Sequence, residues 1–225
     1  MKRLKAAFVT GAGGFIGRHL VRRLLAEDVS VVALMMPGEA IPREWDGRVR
    51  ILEGDVRELG GLAPQVGEVE ALFHLAAVVG DWGSRQAHVD VTVRGTEEAI
   101  ELALQQDAHF VVTTSICAYG SALGRGRLCE DDPVGRPASA YEFCKQEQER
   151  LTREAVTERG LRASIVRPAN VYGVGSVPWV NLVVEAMRRR RPCRMGSGRW
   201  DAGLCHVDNL VEILIACVRT GSIDG

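Results

Sequence analysis

Ala6-Ala7-Phe8-Val9-Thr10-Gly11-Ala12-Gly13-Gly14-Phe15-Ile16-Gly17 runs from a short apolar stretch into a glycine-rich turn, after which Ile16, Leu20, Val21, Leu24 and Leu25 recur at helical spacing. Strand, glycine turn and helix in this order form a phosphate-binding element. Glycines let the backbone turn tightly and approach a pyrophosphate, which then rests on the positive end of the helix. The spacing Gly11-x-x-Gly14-x-x-Gly17 differs from the commoner GxGxxG fingerprint. Its place between an N-terminal strand and an amphipathic helix carries the nucleotide-binding reading.

Working outward, apolar runs at Val29 to Leu34, Val49 to Glu53, Val69 to Leu75, Phe110 to Thr114 and Ala163 to Arg167 predict five further strands. Helical patterns over residues 85 to 105 and from Tyr141 to about Glu158 alternate with them. This alternation marks an α/β protein with a doubly wound parallel sheet of Rossmann type. Ligands in such sheets bind beyond the carboxyl ends of the strands, which places Ser115 where chemistry is done. The second strand ends in Met35-Met36, neither the acid that binds the ribose of NAD nor the arginine that accepts the 2'-phosphate of NADP, so the choice between them is not readable there. Asp55 after the third strand suits either an adenine amino group or a helix N-cap. His74 reads as a satisfied core histidine. After Gly173 the character changes: a helix from about Trp179 to Arg191, then Pro192 to Gly203, form a small, apparently truncated substrate lobe over 173–203. The Rossmann domain spans 1–172, with 204–220 expected to pack back on it. The run Arg188 to Arg191 reads as a charged helix C-terminus.

Tyr141 and Lys145 lie four apart on a predicted helix and so share one face. A phenol has a pKa of about 10, and a nearby cation lowers it. The pair is an acid/base device. Only Lys2, Lys5 and Lys145 are lysines among 28 Lys+Arg, so a compact point charge at 145 is a selected feature.

The chain has 225 residues, 46% hydrophobic and 25% charged, with a formal net charge of -1. That balance gives no general pull toward nucleic acid or an anionic membrane. Six cysteines without a CxxC pair argue against a disulfide scaffold or a metal site. The apolar run after Met1-Lys2-Arg3-Leu4-Lys5 breaks at Gly11, too early for a signal peptide, and no stretch approaches the roughly 20 apolar residues that span a bilayer. A soluble cytoplasmic protein is expected.

Together these residues resemble the extended short-chain dehydrogenase/reductases, the NAD-dependent epimerase/dehydratase group. The matches are Thr10-Gly11-x-x-Gly14-x-x-Gly17, Gly54-Asp55, His74-Leu75-Ala76-Ala77, Ser115 before Tyr119-Gly120, Tyr141-x-x-x-Lys145, Arg167-Pro168-x-Asn170-Val171-Tyr172-Gly173 and His206-Val207-Asp208-Asn209, in the family's order. The resemblance implies that Tyr141 is the general acid/base, that Lys145 lowers its pKa and holds the nicotinamide ribose, and that Ser115 orients the substrate oxygen. It implies NAD or NADP as cofactor, contacted by Gly11, Gly14, Phe15, Ile16, Gly17, Asp55, Val56, Leu75, Ala76, Ala77, Thr113, Tyr141, Lys145, Pro168, Asn170 and Val171. It also implies a homodimer through the helices at 85 to 105 and 141 to 158, by analogy.

Three departures bear on substrate. Thr92 replaces the family's usual asparagine. Ala202 stands where nucleotide-sugar members often carry an arginine. Val78-Val79-Gly80-Asp81-Trp82-Gly83 resembles the hydroxysteroid- or dihydroflavonol-type members, with Trp82 beside the nicotinamide. Family members commonly continue beyond Ser222-Ile223-Asp224-Gly225, and a shortened lobe leaves the cleft open to water. The leading expectation is a dehydrogenase, epimerase or dehydratase acting on a small molecule, an apolar ketone, a hydroxysteroid-like alcohol or a sugar derivative. The alternative is a non-catalytic dinucleotide-binding module.

Overall fold

The computed structural model describes residues 3–45, 47–80, 84–191, 194, 197–199 and 201–220. The expectations placed on Asp81, Trp82 and Gly83, and on Ser222 to Gly225, lie outside the described residues.

Six strands form one parallel sheet: β1 Ala6–Thr10, β2 Ser30–Met35, β3 Val49–Glu53, β4 Ala71–His74, β5 His109–Thr113 and β6 Ala163–Val166. Their order is β3-β2-β1-β4-β5-β6. The order reverses between β1 and β4, and the crevice above that point is where such sheets take ligands. Successive strand residues face opposite sides. Ala7 and Val9 pack under α1 (Phe15–Leu25) and α7 (Val207–Thr220), with Leu20, Leu24, Leu210 and Leu214. Phe8 points the other way, into the layer formed by α2 (Leu59–Val66), α4 (Arg94–Gln105) and α5 (Ala140–Arg159). Helices on both faces make the central strands apolar throughout, which is why β1 reads so plainly in the sequence.

The span 85 to 105, read as one helix, is three pieces: α3 (Arg85–His88), a π-helical turn at Val89–Val93, and α4. The turn sets Thr92 where its Oγ1 accepts from the backbone N of Val78, 3.1 Å away, at the start of the loop after β4. A second, two-stranded parallel sheet, not expected from the sequence, pairs β7 (Asn170–Tyr172) with β8 (Leu204–His206). Another π-helical turn, Val177–Asn181, leads into α6 (Leu182–Arg188), shorter than the expected run to Arg191; neither buries a residue. Among the described residues no helix is long and apolar enough to cross a membrane.

Candidate active site

The glycine turn sits directly against the loop after β4. Gly11 has φ +65°, and a Cβ there would lie 2.8 Å from the Ala76 backbone N. At Gly17 a Cβ would lie 2.2 Å from the Gly11 carbonyl oxygen, so α1 can start this close to the turn only with glycine. Gly14 caps α1 without a side-chain hydrogen bond, and no acidic residue occupies the first turn. The amides of Phe15, Ile16 and Gly17 therefore have no i−4 acceptor within the helix and carry its positive end. A pyrophosphate fits this cradle.

At the other side of the switch point, the sequence fixes where α5 begins. Ser139 caps it, its Oγ accepting from Glu142 N at 3.1 Å, while Glu142 reaches back to accept from Ala138 N at 2.5 Å. This Ser-x-x-Glu reciprocity places Tyr141 in the first turn and Lys145 one turn on. The helix ends at Gly160, in the left-handed conformation with φ +69°. Lys145 is only 3% exposed, and its Nζ lies 5.6 Å from the centroid of the Tyr141 ring. It donates to the Thr113 carbonyl at 3.1 Å and to Gln148 Oε1 at 2.8 Å. Burial lowers its pKa to about 8, against the opposing pull of Cys144, Cys117 and Glu149. Two residues past Thr113, Ser115 caps the 3-10 turn Ile116–Ala122, its Oγ accepting from Cys117 N at 3.1 Å. The Ser115 strand end and the Tyr141 and Lys145 helix thus meet at the carboxyl end of β5. The Thr113 hydroxyl there is buried without a partner. Buried hydroxyls are normally satisfied, so this atom fits a polar group of a bound dinucleotide.

A chain of buried hydrogen bonds joins this corner to the glycine turn. Gln148 Nε2 donates to Thr96 Oγ1 at 2.8 Å, and the Thr96 hydroxyl donates to the Thr92 carbonyl at 2.6 Å. His74 Nε2, 3.0 Å from Thr96 Oγ1, must then be the donor, which leaves Nδ1 to accept from the Thr10 hydroxyl at 2.9 Å. Thr10 Oγ1 in turn accepts from the backbone N of Leu75 and of Ala76, each at 3.2 Å. His74 is therefore a satisfied core histidine with its proton on Nε2. Neither Gln148 nor Thr96 was singled out from the sequence; Gln148 stands three residues after Lys145, the one signal that could have flagged it.

Burial, then the charge of Lys145, lowers the His74 pKa from 6.5 to about 3. Below pH 6.5 the unfolded chain takes up a proton that the folded one refuses, so this group's stability is present above 6.5 and is lost as pH falls toward 3. The slope is up to about 1.4 kcal/mol per pH unit. Urea midpoints measured across that window are expected to show this slope, reduced in His74→Gln; an unchanged slope in the variant would place the acid lability elsewhere.

The remaining sequence-selected residues frame the cleft. Asp55 caps the 3-10 turn Val56–Glu58, accepting from Arg57 N at 2.9 Å and pairing with the Arg57 guanidinium at 2.6 Å. That hydrogen-bonded pairing holds its carboxyl below the usual range despite partial burial. In this geometry the carboxylate is engaged as a cap, and Val56 behind it is core. Both lie at the end of edge strand β3, on the opposite side of the switch point from the β5 corner. Pro168 O accepts from Ile116 N at 3.1 Å, and Asn170 Nδ2 donates to the Ala202 carbonyl at 2.6 Å. Val171 packs against the α1 and α7 core. These three brace the corner from behind.

A parallel sheet of this order, with a glycine turn at its switch point and a Tyr-x-x-x-Lys helix beside β5, defines a Rossmann-type dinucleotide-binding protein. The chain belongs to the NAD dependent epimerase/dehydratase family, whose model matches residues 7–223. It is similar to the 4-hydroxy-2-methyl-3-oxo-4-farnesyl-3,4-dihydroquinoline-1-oxide ketoreductase of Stigmatella aurantiaca, 27% identical over 95% of this chain and 64% of that protein. It is 34% identical to sterol demethylase protein B of Methylococcus capsulatus, over 76% of this chain and 52% of the relative. The chain thus spans about half to two thirds of these relatives' lengths. Among solved structures, MoeE5 in complex with UDP-glucose and NAD superposes with a TM-score of 0.81 at 29% identity, over 97% of this chain and 73% of that one.

Proposed function

We propose that this chain is the dinucleotide-binding and catalytic part of an NAD(P)-dependent oxidoreductase that moves a hydride to or from an alcohol or carbonyl carbon of a small substrate. The observation that carries the reading is the buried Lys145 ammonium, held between Thr113 and Gln148 beside the Tyr141 ring at the end of β5. A nicotinamide dinucleotide supplies the hydride chemistry when bound. Phe15, Ile16 and Gly17 amides hold its pyrophosphate, and the Thr113 hydroxyl and the third N–H of Lys145 face its nicotinamide end. Tyr141 gives or takes the proton at the substrate oxygen, which Ser115 hydrogen-bonds. The Lys145 charge favours the phenolate and so brings Tyr141 closer to neutral-pH exchange.

For the substrate, the 173–203 segment favours an apolar ketone or hydroxysteroid-like alcohol over a sugar derivative. Its start is held beside α1, where His19 Nε2 contacts the Val174 carbonyl at 2.9 Å, and Val177, Trp179, Leu182 and Met187 are exposed. Ala202 adds no cation for a diphosphate. The names of the Stigmatella and Methylococcus relatives point the same way, whereas MoeE5 was solved with a sugar nucleotide. A homodimer through α4 and α5 completes the proposal.

Mass analysis of the small molecules released on denaturing the purified protein identifies the dinucleotide. Turnover is then followed with a hydroxysteroid, an apolar ketone and UDP-glucose. A bulk change in reduced nicotinamide, gained with the alcohol or lost with the ketone, marks a dehydrogenase, and product without bulk change marks an epimerase or dehydratase. Dinucleotide binding without turnover on any class overturns the catalytic reading.

A further inference from the structure

β2 ends at Met35, and from Met36 the chain turns back within three residues. Met36-Pro37-Gly38-Glu39 is a β-turn dictated by its own sequence. Pro37 presets the first corner, Gly38 takes φ +78°, and Glu39 N donates to the Met36 carbonyl at 3.0 Å. The turn reverses the chain so that Glu39 Oε2 accepts from Met36 N at 3.2 Å. The other carboxylate oxygen lies over the glycine turn: Oε1 is 1.9 Å from where a Cβ on Gly13 would be. Gly13 has no side chain, and that is what admits the carboxylate.

From this geometry we infer that Glu39 is the acid that recognises the adenosine ribose, in place of the strand-end residue that Met35 and Met36 cannot supply, and that it sets a preference for NAD over NADP. The inference rests on the dinucleotide-binding reading above. A dinucleotide whose pyrophosphate lies on the start of α1 has its adenosine half directed toward the carboxyl end of β2, the side on which Glu39 covers Gly13. A carboxylate is an acceptor with two oxygens, and a vicinal diol offers two O–H donors. The 2'-phosphate of NADP brings about two negative charges to the same place. Against them the loop from Met35 to Pro42 offers no cation, its first arginine being Arg43 in the following 3-10 turn. Glu39 is exposed, so its replacement leaves the core untouched.

The test is equilibrium binding, read from the fluorescence of NADH and NADPH titrated with the wild-type protein, Glu39→Gln and Glu39→Ala. Wild type is expected to bind NADH at least about tenfold tighter than NADPH, the scale of a lost charge-assisted hydrogen bond. In both variants the ratio should collapse toward unity, with weaker NADH and stronger NADPH binding. A wild-type protein that prefers NADPH, or a ratio that the variants leave unchanged, overturns the assignment of Glu39 while the dinucleotide reading stands. A wild-type protein that binds neither overturns both.

Discussion

Tyr141→Phe is expected to lower turnover by about 10²- to 10⁴-fold, the usual worth of a placed proton donor, with dinucleotide affinity essentially unchanged. The substitution removes one oxygen and keeps the ring that lies 5.6 Å from Lys145 Nζ. The lysine is held by Thr113 and Gln148, neither of which depends on the phenol, so the ammonium stays where it is. The loss should therefore appear in kcat and not in dinucleotide binding. Single-turnover rates with a saturating dinucleotide make the measurement. A variant as fast as wild type would remove Tyr141 from the chemistry, and one that no longer binds the dinucleotide would give the tyrosine a binding role instead.

The second large effect is expected at Glu149, one turn beyond Lys145 on α5. Its carboxylate takes two hydrogen bonds from Arg167, and the two side chains are only 7% and 9% exposed. Glu149 Oε1 also accepts from the Thr114 hydroxyl at 2.9 Å, next to Ser115, and the guanidinium lies 4.5 Å over the Tyr119 ring. Glu149→Ala leaves a buried guanidinium without its anion, which typically costs about 3–5 kcal/mol. Replacing both partners, Glu149→Leu with Arg167→Met, should recover much of that loss, since the expense lies in the unpaired charge and not in the absent pair. Urea unfolding measures both; a loss below about 1 kcal/mol in the single variant is the value of a solvent-exposed pair and would show that this one is not buried in solution.

What the sequence disclosed and what it hid divide along a physical line. The strands Ala6–Thr10 and Val49–Glu53 were legible to the residue, because burial between two helical layers demands unbroken apolar runs. The glycine turn was legible because close backbone approach tolerates no other residue at Gly11 and Gly17. The π-helical turn at Val89–Val93 was hidden, since its local sequence is ordinary helix and the contact of Thr92 with Val78 exists only in three dimensions. The β7 and β8 pair was hidden for a similar reason: each strand is three residues long, and the partners lie more than thirty positions apart. Gln148 looked like one more polar residue on a charged helix, and nothing local says that it is fully buried against Lys145 and Thr96. Glu39 was hidden too, because it lies four residues past the end of β2 and only the Pro37-Gly38 reversal brings it back to Met36 N.

The line of polar groups running from Lys145 through Gln148, Thr96 and His74 to Thr10 has a consequence for how the cleft can be altered. Gln148, Thr96 and His74 are each bonded on both sides, so none of the three can rotate without stranding a neighbour away from water. The carboxyl end of β5 at Lys145 and the glycine turn at Thr10 are therefore coupled through one buried line of hydrogen bonds. A change at either end would need concerted changes along this line, whereas the exposed side chains of Val177, Trp179, Leu182 and Met187 share none of these bonds and can be exchanged without disturbing it.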